Sequence, residues 1–206
     1  MNLTQLLIQN PPVFFMMAIP LFYSVIIHEI AHGVAAYLFG DNTAKQAGRL
    51  TLNPLPHIDP MGLLALFIAG FGWAKPIPVD YFNLKNFKLG MFAVSIAGCL
   101  ANFLLAAIAV LLLKIKIIES NYILYSMLLI LAKINMMLCA FNLIPIPPLD
   151  GAKIVTSLLP FKFQLKLAEL EHYGFIVLFF LLFTGILSPV IIFMQKMIFS
   201  VVGILI

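Results

Sequence analysis

Apolar positions in this chain run in long blocks rather than in alternation. From Pro12 to Phe39 there are 28 residues whose only ionisable side chains are His28, Glu29 and His32, and Gly40-Asp41-Asn42 stops the run. A membrane span needs about 20 mostly apolar residues, so this block predicts a first transmembrane helix over 12–39. Gly90 to Leu113 predicts a second and Tyr122 to Ile144 a third, the latter ended by Pro145-Ile146-Pro147-Pro148. Residues 173–206 are apolar again, broken at Ser188-Pro189, and fit two short spans or one kinked span with an interfacial tail.

Two stretches depart from this pattern. Met61 to Trp73 is apolar but too short to cross, which predicts a re-entrant or interfacial element packed on protein or lining a wet cavity. Residues 47–54, Ala-Gly-Arg-Leu-Thr-Leu-Asn-Pro, alternate like a strand between turn residues. The expectation is therefore an all-α polytopic membrane protein of about 4–5 transmembrane helices, with a short membrane-edge β-ribbon and a re-entrant segment within 41–74. The whole of 1–206 reads as one domain.

Composition agrees. Of 206 residues, 63% are hydrophobic and 10% charged, whereas soluble domains are nearer half apolar and a quarter charged. Disorder, which needs low hydrophobicity and high charge, is excluded. The net charge of +4 reports topology rather than nucleic-acid binding. Eight basic residues lie in the connections 40–90 and 150–171, against Lys114 and Lys116 on the other side. By the positive-inside rule the N-terminus is outside and both large connections are cytoplasmic. The first ten residues carry no Lys or Arg and do not resemble a cleaved signal peptide. Cys99 and Cys139, isolated in apolar runs, read as small buried residues rather than a disulfide or thiolate site.

The candidate chemistry lies inside the first span. His28-Glu29-Ile30-Ala31-His32 is an HExxH motif. Positions i and i+4 of a helix stack on one face, so both imidazoles can hold one metal ion while Glu29 serves as general base. Random placement of this chain's histidines and glutamates produces the motif roughly 0.0015 times. Ionisable groups within a span are costly and mark function; the competing reading is a pair of interhelical polar contacts.

Two histidines leave a catalytic zinc one protein ligand short. The remaining intramembrane acid is Asp150, in Asn142-Leu143-Ile144-Pro145-Ile146-Pro147-Pro148-Leu149-Asp150-Gly151. His28 lies about 24 Å down an inward-running helix from Pro12. Asp150 follows the third span, which also runs inward, so the two reach similar depth. The alternative for Asp150 is a helix cap before Gly151.

These residues resemble the site-2 protease family of intramembrane zinc metalloproteases in its minimal form, without PDZ or CBS domains. The resemblance runs through His28–His32, Gly48–Pro54, Gly72–Val79, Ala97–Asn102 and Asn142–Gly151. It implies one zinc ion held by His28, His32 and Asp150, with Glu29 as catalytic base and Asn142 helping to hold substrate or the oxyanion. It implies as partner a transmembrane or membrane-associated protein substrate, cut within the bilayer. Cys99 stands where many relatives have proline. The 47–54 ribbon would then offer an edge for an unwound substrate segment to join as a strand.

Two other functions compete. One is a catalytically silent metal-binding membrane scaffold, the other a metal transporter; no internal repeat supports the latter. Among the leftover polar residues, His57 reads as a loop histidine bonded to its own turn. His172 reads as interfacial, Lys133 as a mid-span charge that pairs or snorkels, and Asn102 and Asn135 as interhelical hydrogen-bonders.

Overall fold

The computed structural model describes residues 3–69 and 72–204, and no strand occurs among them. A short helix α1 (Leu3–Gln9) leads into α2 (Pro11–Leu38). Asn10 caps α2 by accepting from the Val13 amide at 3.4 Å. Pro11 and Pro12 occupy first-turn positions, where a missing N–H costs nothing. After α3 (Thr43–Gln46) and α4 (Pro60–Ala69), an extended stretch over 72–80 leads to α5 (Phe87–Leu113). Then come α6 (Lys116–Glu119), α7 (Tyr122–Asn142), α8 (Asp150–Leu158), α9 (Phe161–Phe183) and α10 (Ser188–Ile204). Asn86 and Asn121 cap α5 and α7 as Asn10 caps α2.

Among the described residues, three helices, α2, α5 and α7, are long and apolar enough to cross a bilayer. Ile176–Phe183 and Ser188–Ser200 satisfy the same test only as a pair, bent by 90° across Thr184 to Leu187. The break follows from Gly185, at φ +72°, and from Pro189, which cannot continue a helix from within. The protein is thus a helical membrane protein with, among the described residues, three candidate spans, or four if the bent pair counts as one. Its α9 begins at Phe161, ahead of the expected 173.

The spans pack through small side chains. Ala106 and Ala109 of α5 meet Ala132 and Met136 of α7, with Leu128, Leu131 and Val110 around them. In lipid no hydrophobic force drives helices together, so close backbone approach through small residues supplies the contact energy. Helix α5 is central: it packs on α2, α7 and α8.

The expected ribbon at 47–54 is absent, because turn chemistry overrides the alternating pattern. Gly48 sits at φ +65°, and the Arg49 amide turns back to Ala44 O. Thr51 Oγ1 accepts from the Asn53 amide and Asn53 Oδ1 from the Leu55 amide. Amides spent on local side chains cannot form a ladder. The strand edge expected for substrate is therefore not provided by this segment. Helix α4 covers 60–69 within the expected re-entrant stretch; at ten residues it is too short to cross.

A carboxylate organises the loop between α2 and α5. Asp41, fully buried, accepts from the Thr43 amide and hydroxyl, from Asn83 Nδ2 at 3.2 Å, and from the Asp80 amide at 2.9 Å. Burial pushes its pKa up, but the hydrogen bonds from Thr43, the Asp80 amide and Asn83 prevail and hold it below the ordinary carboxylate value. A carboxyl with a lowered folded pKa stabilises the fold above its unfolded pKa of about 3.9 and loses that contribution as pH falls further. Asp41→Asn is expected to cost about 1–3 kcal/mol, the penalty for leaving a buried donor unpaired. It should also flatten the acid limb of thermal stability below about pH 4, measured by circular dichroism in detergent.

Candidate metal centre

Helix α2 presents His28 and His32 one turn apart on its buried face, their rings edge-to-face at a centroid distance of 4.6 Å. Asp150 comes from elsewhere: it opens α8, where an acidic residue in the first turn suits the helix dipole. Gly151 allows this, since a Cβ there would strike the carbonyl oxygens of Leu143 and Ile144. The start of α8 can therefore tuck beneath the last turn of α7.

The three side chains converge. His28 Nε2 and His32 Nε2 are 3.0 Å apart, and each is 3.1 Å from Asp150 Oδ2. The outer nitrogens decide what faces inward. His32 Nδ1 lies 2.6 Å from Val94 O, a carbonyl that can only accept, so Nδ1 carries the proton. His28 Nδ1 lies 2.7 Å from Asn102 Oδ1 and likewise donates. In neutral imidazoles both Nε2 atoms then present lone pairs to each other and to a carboxylate oxygen. A proton on one Nε2 would relieve only some of these contacts; a divalent cation relieves all of them.

The dimensions fit such an ion. Bonds of about 2.0–2.1 Å in a tetrahedron place ligand atoms about 3.3–3.4 Å apart, close to the edges observed. Two imidazoles and a carboxylate suit zinc, and three protein ligands leave a fourth position open, as catalytic zinc sites do. Cys99 Sγ lies 3.8 Å from Asp150 Oδ2 and is not part of this cluster.

Glu29 stands half-buried beside the cluster, and its Oε2 accepts from the Ile77 amide at 2.7 Å. In Pro76-Ile77-Pro78 only Ile77 has an N–H, and a residue before proline is held extended. The sequence thus aims a single donor at the acid. Arg49 Nη2 donates to Lys75 O at 2.7 Å, and the Lys75 amide donates to His57 O at 2.9 Å, which anchors the same stretch.

The remaining candidates lie apart from the cluster. Asn142, last in α7, donates from Nδ2 to Leu138 O at 3.0 Å and makes no hydrogen bond to the triad. His57 is fully buried in its loop, with Nε2 donating to Thr51 O at 2.9 Å. Lys133 is exposed on α7 and has no acidic partner among the described residues. The His172 side chain lies outside the described ones.

A residue missed by sequence reasoning is Gly98 on α5. A Cβ there would strike His32 Nε2 and lie 2.5 Å from His28 Cε1. Its place in the Ala97–Asn102 segment that carries the family resemblance was the signal that could have pointed to it.

A bundle of apolar helices enclosing a buried two-histidine, one-carboxylate cluster defines an integral membrane protein with a metal-type centre. Comparison with known proteins identifies the family. Residues 114–185 match the model of peptidase family M50. The chain is 42% identical over 182 residues to "Putative zinc metalloprotease YwhC" of Bacillus subtilis, covering 85% of this chain and 83% of that one. It is 32% identical over 173 residues to Rip2 of Mycolicibacterium smegmatis, which carries the same description, covering 80% of this chain and 65% of that one. It is 31% identical over 157 residues to zinc metalloprotease MJ0392 of Methanocaldococcus jannaschii, covering 76% of this chain and 38% of that one. No solved structure matches the chain significantly. The chain belongs to peptidase family M50, the site-2 protease family.

Gly98→Ala is expected to displace both imidazoles and to lower the metal content of purified protein to well below one ion per chain. Helicity by circular dichroism should persist, because alanine favours helix.

Proposed function

We propose that this protein is a zinc endopeptidase that cuts peptide bonds within or beside transmembrane segments of other membrane proteins, with His28, His32 and Asp150 holding one zinc ion. The observation that carries this reading is the convergence of three lone-pair atoms at 3.0–3.1 Å. Membership of family M50 and the names of the relatives support it.

When bound, zinc supplies Lewis acidity, acidifying water and stabilising negative charge on a carbonyl oxygen. The chain's own residues do the rest. Glu29, adjacent in sequence to His28, takes the proton of the attacking water and returns it to the departing amine. The Ile77 amide holds Oε2 of that carboxylate, leaving Oε1 to receive the proton. Burial of His28, His32 and Asp150 keeps bulk water from the reacting bond. Asn142 serves the substrate with the carboxamide groups that its bond to Leu138 O leaves over, the second N–H and Oδ1. A helical substrate hides its peptide bonds and must unwind locally to present one.

The distribution of Lys and Arg supports an orientation with the N-terminus outside, the loops 40–90 and 150–171 cytoplasmic, and the site toward the cytoplasmic side. All of 1–206 then forms one catalytic membrane domain, and its natural setting is regulated intramembrane proteolysis.

The test compares membrane-protein fragments in cells expressing wild type or Glu29→Gln at matched levels. The variant should retain zinc and lose roughly 10²–10⁴-fold in cleavage rate, the usual contribution of a general base. Uncut single-span protein should accumulate and co-purify with it. Equal fragment profiles with equal zinc content would favour the silent scaffold instead.

A further inference from the structure

Beyond the triad, a chain of buried amides crosses the bundle. Asn102 of α5, which accepts from His28 Nδ1, donates from Nδ2 to Asn135 Oδ1 at 3.0 Å. Asn135 of α7 donates from Nδ2 to Leu131 O at 2.9 Å and to Ser24 Oγ at 2.8 Å. Ser24 of α2 donates to Pro20 O at 2.6 Å, which closes the chain on the helix that bears His28. Ser24, Asn102 and Asn135 are all at most 1% exposed.

The direction of every bond in this chain is set from its far end. A carboxamide has a donor side and an acceptor side, and either can face a given neighbour. Leu131 O and Pro20 O are backbone carbonyls and can only accept. Asn135 must therefore turn its NH₂ toward Leu131 and Ser24, which leaves its oxygen for Asn102. Asn102 must then turn its NH₂ toward Asn135, which leaves its oxygen for His28. His28 in turn must protonate Nδ1 and keep the Nε2 lone pair free. Reversing Asn102 would place a donor against Nδ1 and move the imidazole proton to Nε2, facing the metal position.

We propose that Asn135, which makes no hydrogen bond to the triad, is a positioning residue that selects the metal-binding tautomer of His28 by fixing the polarity of Asn102. The inference rests on the reading that His28 binds zinc. Partners of this kind behind a metal-bound histidine usually contribute 10–100-fold in metal affinity.

The experiment is a double-substitution cycle read as zinc affinity, by competition with a chromophoric chelator in detergent, on the full chain. Asn135→Leu is expected to weaken zinc binding about 10–100-fold. Asn102→Asp presents an oxygen to His28 whichever way it turns, and it also loses the N–H that Asn135 Oδ1 accepts, so its own zinc affinity is the reference for the second half of the cycle. In the Asn102→Asp background, Asn135→Leu should then cause no further weakening, since polarity no longer needs fixing and the oxygen facing the carboxylate is gone. An equal loss in both backgrounds would show that Asn135 acts by packing alone and would overturn the proposal, as would an unchanged affinity in the single variant. Asn135→Gln serves if the leucine variant fails to fold: its displaced amide should weaken binding in the wild-type background and spare it in the Asn102→Asp background. His28→Ala is the reference for the site itself. If it leaves zinc affinity unaltered, the site reading fails and this inference falls with it; if it abolishes binding while Asn135→Leu does not weaken it, only the inference fails.

Discussion

Three electron-pair donors held within 3.1 Å of one another in a buried pocket are mutually repulsive, and this constraint explains much of the surrounding structure. Burying a carboxylate costs several kcal/mol unless it is paired. Neutral imidazoles whose lone pairs face it add nothing favourable until a cation lies between them. The protein must hold the cluster together by other means. It does so by building the donors into two rigid supports: two on one face of α2, and the third at the first residue of α8.

Helix α5 is the element that makes this arrangement possible. It lies behind both histidines and supplies a carbonyl to one and a side-chain amide to the other, through Val94 and Asn102. It can come so close only because position 98 has no side chain. The packing energy that holds α5 there comes from alanines lower in the same helix, meeting alanine and methionine on α7. Small residues thus serve two ends along one helix: they bring backbones together in lipid, and they clear the space in which the imidazoles sit. On the adjoining face of α2, Ile77 packs against Gly33 while its amide holds Glu29. The acid and the histidines are therefore fixed by different neighbours of a single helix.

How much of this could be read from sequence depended on the range of the interaction. The spacing of His28 and His32 carries its meaning within one helical turn, and the apolar blocks announce α2, α5 and α7 to within a few residues. Asp150 was legible as the remaining intramembrane acid and through the proline-rich run before it, although its approach to the histidines depends on Gly151 beneath α7. The ribbon at 47–54 was misread because alternation of Leu and polar residues says nothing of Thr51 and Asn53 capturing nearby amides. Asn102 and Asn135 were legible as interhelical hydrogen-bonders but not as a directed chain. Their partners are 74, 33 and 111 positions away, and the carbonyls that set the direction belong to Leu131 and Pro20, residues with no polar side chain.

The proposed activity requires that His28, His32 and Asp150 together hold one zinc ion. X-ray absorption at the zinc K-edge, on purified protein loaded with one equivalent of zinc, tests it most directly. The expected first shell is nitrogen and oxygen only, at about 2.0–2.1 Å, with outer-shell scattering from two imidazoles. Asp150→Ala should change the first shell and leave the imidazole scattering intact. A sulfur shell at about 2.3 Å, or scattering from fewer than two imidazoles, would rule out a centre built from these three residues.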